Sequence, residues 1–374
     1  LLALTCSGPA SAQAQRSLLD DPTVRARAQH GLDRLYNVDF DKADSLFTLV
    51  ADEHPDHPIG PFLKALGTWW QILLDLNDTS YDQTFYDEMD AVIARSDARL
   101  RRNRSDFDAR FFKGAALGFR GRLRSNRGQY LRAARDGRDA MDYVLSIADA
   151  DTSRADFGFG KGLYDYYIAA TGDRYPAARP FLKLFPDGDK ERGLALLNRT
   201  ADDGTFLKAE AHYFLMQIEY LFESDFSATR EHVTWLRRRY PDNPFFHTAE
   251  GRVLAHWHQW RQADDVWADV LNKHLARTPY YGRSAAEQAL YYLARSHASR
   301  GEYRQALVRY TQLETYSKGR PNPSYFAVVG RLRQGQTFEE LGKKAEAAAR
   351  YRQVLAMPDK GRAHENARRY LSQL

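Results

Sequence analysis

An all-α chain of repeated antiparallel helix pairs, wound as a right-handed superhelical solenoid, is the architecture that three features of the sequence predict. The first is a spacing. In residues 244–271, PFFHTAEGRVLAHWHQWRQADDVWADVL, Gly251 precedes Ala263 by twelve, Trp260 stands three before that alanine and Trp267 four after it. Small residues mark where the two helices of a pair touch, and aromatic rings mark where each unit meets its neighbour. The second is recurrence. The same offsets appear in Gly31, Phe40, Ala43 and Phe47, in Ala294, Tyr303, Ala306 and Tyr310, and in Gly335, Ala347 and Tyr351. The third is bulk composition: 374 residues, 43% hydrophobic and 13% aromatic, are enough for a packed core that grows by stacking.

Taken in order, residues 1–16 read as a truncated signal peptide and lead-in. An apolar start is broken by Gly8-Pro9 and followed by Ala12-Gln13-Ala14, an A-x-A cleavage pattern that would leave Gln15 as the first mature residue. A second reading makes Cys6 the acylated residue of a lipoprotein, although Thr5 stands where a lipobox carries a smaller residue. Soluble export is the favoured of the two. Cys6 is the one cysteine, so the mature chain has no internal disulfide and no cysteine metal site. No later run is long enough for a membrane-spanning helix.

Residues 17–374 are expected to form a single solenoid of about eight pairs plus a C-terminal capping helix. The first pair covers 24–57, closed by Pro55. The second, 58–102, diverges: Phe62, Leu66, Trp69, Trp70 and Leu73 recur at helical spacing, residues 77–80 break the chain, and Phe85, Met89 and Val92 mark the next helix. The third restores the pattern with Gly121, Tyr130 and Ala133, its first helix spanning 106–124. The fourth opens on DFGFGKGLYDYY (156–167), where Gly158, Gly160 and Gly162 are expected to allow close helix approach. A phosphate loop is not indicated, because GxxxxGK[ST] and GxGxxG are both absent. Pro176, Pro180 and Pro186 mark an inserted loop at 172–187, before a helix at 190–199 with Asp189 as its N-cap. In the fifth pair, 205–241, Thr229 replaces the alanine. The sixth, seventh and eighth keep the spacing, and 362–374 reads as the cap.

Candidate chemistry is sparse. The net charge of +5 and pI near 9.1 lean basic, and arginine far outnumbers lysine. There is no HExxH and no GxSxG, and the EHPDHP stretch at 53–58 reads as a turn. His256 and His258, two apart on a helix, point to different faces and cannot share a metal. No catalytic residue, metal ligand or cofactor is therefore nominated. The repeat register is more informative. Arg122, Arg252 and Arg295 each stand eleven before the repeat alanine, Asn126 and His256 follow one turn later, and Phe214 and Tyr291 lie one turn before in their own repeats. Where first helices line a concave face, these residues form a groove of spaced arginines over aromatic floors. Such a groove suits an extended anionic or C-terminal peptide. Equally, the arginines could pair with Asp or Glu on neighbouring repeats.

Across nearly all of the mature sequence the chain resembles the tetratricopeptide-repeat superfamily, most closely in repeats one, six, seven and eight. The resemblance implies a non-catalytic protein-interaction scaffold with a protein or peptide partner. With the leader, it implies a bacterial cell-envelope protein, periplasmic or outer-membrane-associated. The Lys and Asn of the family's carboxylate clamps are mostly missing here, so that ligand does not carry over. Export disfavours a nucleic-acid partner. The alternative is a carbohydrate- or polymer-binding module that would expose Trp69, Trp70, Tyr164, Tyr166 and Tyr167.

Overall fold

A computed structural model describes residues 17–174, 185–320 and 322–374. Among the described residues there are seventeen α-helices and no strand. They fall into the eight pairs and one cap that the spacing predicts. The pairs are α1 (Pro22–Tyr36) with α2 (Phe40–Glu53), α3 (Ile59–Leu74) with α4 (Asp82–Arg102), and α5 (Phe107–Asn126) with α6 (Tyr130–Ala150). Then come α7 (Ala155–Arg174) with α8 (Lys190–Asp203), and α9 (Lys208–Ile218) with α10 (Phe226–Arg239). The last are α11 (Pro244–His256) with α12 (Trp260–Leu275), α13 (Arg283–Ser299) with α14 (Tyr303–Ser317), and α15 (Tyr325–Glu340) with α16 (Lys344–Leu355). The cap is α17 (Ala363–Leu371). The expected leader at 1–16 lies outside the described residues. So does most of the expected insertion, since α7 continues through Arg174 and residues 175–184 are not described.

Local chemistry sets the helix starts. Asp21, with Pro22 behind it, accepts from the N–H groups of Thr23 and Val24 at 2.8 and 3.0 Å. Asp106, Asp189, Asp225, Asn243 and Ser324 cap five later helices in the same way, so Asp189 is the N-cap its position suggested. The aspartate of the glycine-rich stretch, Asp156, is buried and accepts from the backbone of Thr205, Phe206 and Leu207 at 2.7–2.9 Å. It ties the start of α7 to the entry of α9. A Cβ on Gly158 or Gly162 would press on Leu196 or Leu197 of α8 at 3.1 and 3.0 Å, and one on Gly160 would meet Val144 of α6. Close approach is what those glycines provide.

Inside each regular pair, the ring four residues beyond the alanine packs onto the small residue of the first helix. A Cβ on Gly31 would run into Phe47, one on Gly251 into Trp267 and one on Gly335 into Tyr351. The rings were expected at the boundary between units. Trp267 serves both contacts, because its other face stacks on Tyr292 of the next repeat at 4.7 Å and 6°. Ala43, Ala263, Ala306 and Ala347 are all buried. Repeat three breaks this rule: the position homologous to Phe47 and Trp267 is Gly137, whose Cβ would meet nothing within 4 Å.

The superhelix also closes on itself. Repeats one and two lie against repeats five and six, far away in sequence. Tyr36 packs on Trp70 and Tyr240 at 5.4 and 5.3 Å, and Trp70 on Phe246 at 5.2 Å. The Asn243 amide donates to the carbonyl of Tyr36 at 2.7 Å, and the Asp242 N–H to Asn37 Oδ1 at 3.1 Å. Arg239 pairs with Asp33, and Arg320 reaches Asp75 across 245 residues at 2.9 Å. The first helices of the first five repeats therefore face one another. The segment just before α1 joins in: Asp108 of α5 accepts from the hydroxyl of Ser17, the N–H of Leu18 and the His57 ring. Burial opposes its charge, yet these bonds hold the Asp108 carboxyl below the usual range. The EHPDHP turn thus supplies a buried structural histidine.

The glycine-ring contact gives a sign test. In an unpacked helix, Gly→Ala gains up to about 1 kcal/mol. Gly67→Ala in α3, with nothing within 4 Å of the new methyl, is expected to gain in that range. Gly251→Ala, driven into Trp267, is expected to lose about 1–3 kcal/mol. Urea melts of the two variants check this, and a stabilised Gly251→Ala would place Trp267 elsewhere.

Candidate functional site: an inner face of arginines, rings and an apolar cavity

The seven residues nominated from the repeat register all lie on first helices: Arg122 and Asn126 on α5, Phe214 on α9, Arg252 and His256 on α11, Tyr291 and Arg295 on α13. They do not form one uniform groove. Arg122 is partly buried, with its guanidinium carbon 4.6 Å from the Phe214 ring centre, 5.0 Å from Trp69 and 5.2 Å from Tyr213. It donates to the Tyr213 hydroxyl at 2.8 Å. Arg252 donates to Gln288 at 2.6 Å and to Thr248 at 3.3 Å. Arg295 sits over Trp260 and Tyr291 at 5.5 and 5.8 Å. Asn126 is exposed at the end of α5. Tyr291 is only 3% exposed, so it supports Arg295 rather than presenting a surface of its own.

Among the described residues, none of these three arginines has a carboxylate within 4.0 Å. Their neighbours do. Arg120 and Arg124 both grip the buried Asp136 at 2.6 and 2.5 Å, Arg237 pairs with Glu250 at 3.1 Å, and Arg300 with Asp264 at 2.8 Å. Arg120 and Arg124 thus tie α5 to α6 within repeat three, while Arg237 and Arg300 pair between repeats.

Rings that sequence reasoning did not nominate link the three. Tyr213, Gln217 and Tyr220 follow one another along α9 and the π turn that extends it (Glu219–Glu223). Gln217 donates to the Tyr213 hydroxyl at 2.7 Å, and the Tyr220 ring lies 4.7 Å from His256 and 5.6 Å from Trp257. Burial raises the Tyr220 and Tyr292 hydroxyls above their usual range, while Arg252 and Arg295 pull both the other way. Burial, with His258 and Arg295 nearby, lowers the His256 ring. The signal for Tyr220 was missed because the π turn shifts its direction by one residue relative to an α-helix.

The N-terminal half of this inner face lines a partly open cavity of ≈ 440 Å³. Its walls come from α1, α3, α5, α6, α7 and α9 and are mostly apolar; Phe62, Phe119, Met141, Leu163 and Phe214 are typical. The missing ring at Gly137 lies on this wall. Apolar walls of this kind gain free energy when an apolar occupant displaces water from them. Arg110, Arg122, Asp156 and Glu210 also line it. Asp156 is spent on backbone N–H groups. Glu210 is 3% exposed: one oxygen takes a long 3.5 Å bond from Tyr36 and the other has no partner. Burial pushes its carboxyl above the usual range and outweighs the pull of Arg122.

The rings proposed as sugar platforms are mostly interior. Trp69, Trp70 and Tyr166 are buried, Tyr167 is partly buried, and the Tyr164 hydroxyl is engaged with the carbonyl of Pro186 at 2.6 Å. Buried indoles and phenols cannot stack on an external sugar. Among the described residues, no group of three His, Cys, Asp or Glu side chains could hold a metal ion, and no helix is long and apolar enough to cross a membrane.

A model of the tetratricopeptide-repeat family matches residues 288–318 and 330–358, the pairs α13–α14 and α15–α16. Over those two pairs the chain carries tetratricopeptide repeats. No curated protein matches it. Among solved structures, the chain is similar to yeast Tom70, at 9% identity over 95% of this chain and 89% of that one, with a TM-score of 0.42. It is also similar to NprR in complex with its cognate peptide NprX (11%, 93% and 82%, 0.44) and to the apo form of RapI (11%, 87% and 85%, 0.44).

Glu210 yields a pH test of the cavity wall. A carboxyl raised by folding keeps its proton where the unfolded chain has lost it, so its contribution is present at low pH and fades as pH rises above about 4.5. Glu210→Gln is expected to stay within about 1 kcal/mol of wild type at pH 7. The difference should move in favour of Gln between pH 4.5 and 7. A loss of about 3–5 kcal/mol at pH 7 would instead show an ionised partner of Arg122.

Proposed function

We propose that this tetratricopeptide-repeat chain is a non-catalytic interaction scaffold that holds an extended, anionic segment of a protein partner against the inner face of repeats six to eight. One observation carries the reading. Arg252 and Arg295 lie partly exposed near Tyr220 and Tyr292 with no carboxylate within 4.0 Å among the described residues, while Arg237 of repeat five and Arg300 of repeat seven are paired. Arg295 sits on an aromatic shelf that adds cation–π attraction, and Arg252, which donates to Gln288 and Thr248 through one nitrogen, keeps its other donors for a carboxylate. The family match supports the scaffold role. The burial of Trp69, Trp70 and Tyr166 weighs against the carbohydrate alternative. An exported setting at the bacterial envelope belongs to the same proposal and rests on residues 1–14. A mature chain that begins elsewhere than Gln15, or stays in the cytoplasm, contradicts it.

A fluorescein-labelled library of Asp/Glu-rich peptides, read by anisotropy, tests the site. The tightest binder should weaken about ten-fold or more for Arg252→Ala or Arg295→Ala, since a hydrogen bond to a charged group contributes about 1.5–3 kcal/mol. Binding should also fall as salt rises. Unchanged affinity in the folded double variant would remove these arginines from the site.

A further inference from the structure

We propose that the partly open cavity of the first five repeats is a binding site for a fatty acid, an unbranched hydrocarbon chain ending in a carboxylate whose head lies at Arg122. The inference is independent of the peptide site, which uses other repeats.

Four observations converge on it. The cavity is ≈ 440 Å³, within the range of small-molecule sites, and at about 30 Å³ per water-sized group it has room for roughly fifteen heavy atoms. Its walls are predominantly hydrocarbon and ring, which a polar ligand or a peptide backbone could not satisfy. The charge inside it is uncompensated. Arg122 has five N–H donors and a single bond, to Tyr213, with no carboxylate in reach. Glu210 beside it is buried with an oxygen that accepts no hydrogen bond, and burial raises its carboxyl above the usual range, which weakens it as a counter-ion. The guanidinium fork can donate to both oxygens of an incoming carboxylate. Finally there is a way in. Gly118 of α5 and Gly137 of α6 line the cavity, are exposed, and have nothing within 4 Å of where a side chain would begin. In the regular repeats the position of Gly137 holds Phe47, Trp267, Tyr310 or Tyr351. The chain has exchanged a structural ring for an opening.

Arg110 also lines the cavity, but it sits twelve residues earlier on α5, about 18 Å away at 1.5 Å per residue. It marks the tail end.

The test is displacement of cis-parinaric acid from the purified full chain by tetradecanoic acid and by tetradecanol, followed by fluorescence. Saturable one-to-one binding is expected for the acid. Arg122→Met should weaken the acid ten-fold or more and leave the alcohol unchanged, while Arg110→Met leaves both unchanged. Gly137→Phe and Ala140→Phe, which fill the cavity from α6, should each abolish binding of both ligands with the helical circular-dichroism spectrum retained. Two filling variants are used so that one misfolded protein does not end the test. Arg252→Ala/Arg295→Ala should bind the acid as wild type does, which separates this site from the peptide groove. No saturable binding, or full binding in both folded filling variants, overturns the cavity as the site. Equal loss of acid and alcohol in Arg122→Met, or loss in Arg110→Met instead, overturns the placement of the head.

Discussion

The contact on which the rest of this molecule depends is the seam between Tyr36 and Trp70 on one side and Tyr240, Asn243 and Phe246 on the other. Each helix pair could stack on the next without it. With it, the first five repeats close into a turn and their first helices line an interior instead of an open trough. An aromatic pair contributes about 0.5–1.5 kcal/mol beyond its burial, so several rings and the Asn243 amide together outweigh the ordering they impose. The amide matters for another reason. It satisfies a carbonyl at the end of α1 that the closed seam hides from water, and a buried unpaired carbonyl would be costly.

Within a repeat the governing constraint is smaller in scale: a ring of the second helix resting on a glycine or alanine of the first. That contact fixes how closely the helices approach and how the next pair is presented. Where repeat three places Gly137 in the ring position, α5 and α6 still approach closely at Gly121, where a Cβ would meet that of Asp136 at 3.2 Å. The volume of the absent ring becomes part of the cavity. The buried Asp136, gripped by Arg120 and Arg124, holds the pair together in its place.

The sequence made the local layer legible and the global layer opaque, for one physical reason. Helix pairs, caps and crossing residues depend on neighbours within about forty positions, and periodicity records such relations directly. Asp189 and Gly162 are examples. The seam joins residues 205–207 apart and the Arg320–Asp75 pair spans 245, and no local pattern encodes which repeats will meet. Hence the register placed Arg122, Arg252 and Arg295 on inner-facing helices, but it did not show that Arg122 faces a partly open cavity. Nor did it show that Tyr291 lies beneath Arg295. The Trp69-Trp70 pair illustrates the same limit. Its helical spacing marked it as packing, while the partners that bury Trp70 come from repeats one and six.

Closure of the superhelix is the central claim, and a cross-link reports on it directly. Asn37 and Asp242 hydrogen-bond side chain to side chain at 3.1 Å across the seam. In a Cys6→Ser background, Asn37→Cys/Asp242→Cys treated with a short bifunctional thiol reagent should give an intramolecular link, seen as a faster-migrating monomer on a denaturing gel. Each single cysteine variant should give none. A double variant that remains unlinked, or links only between molecules, would contradict the closed turn and the interior built upon it.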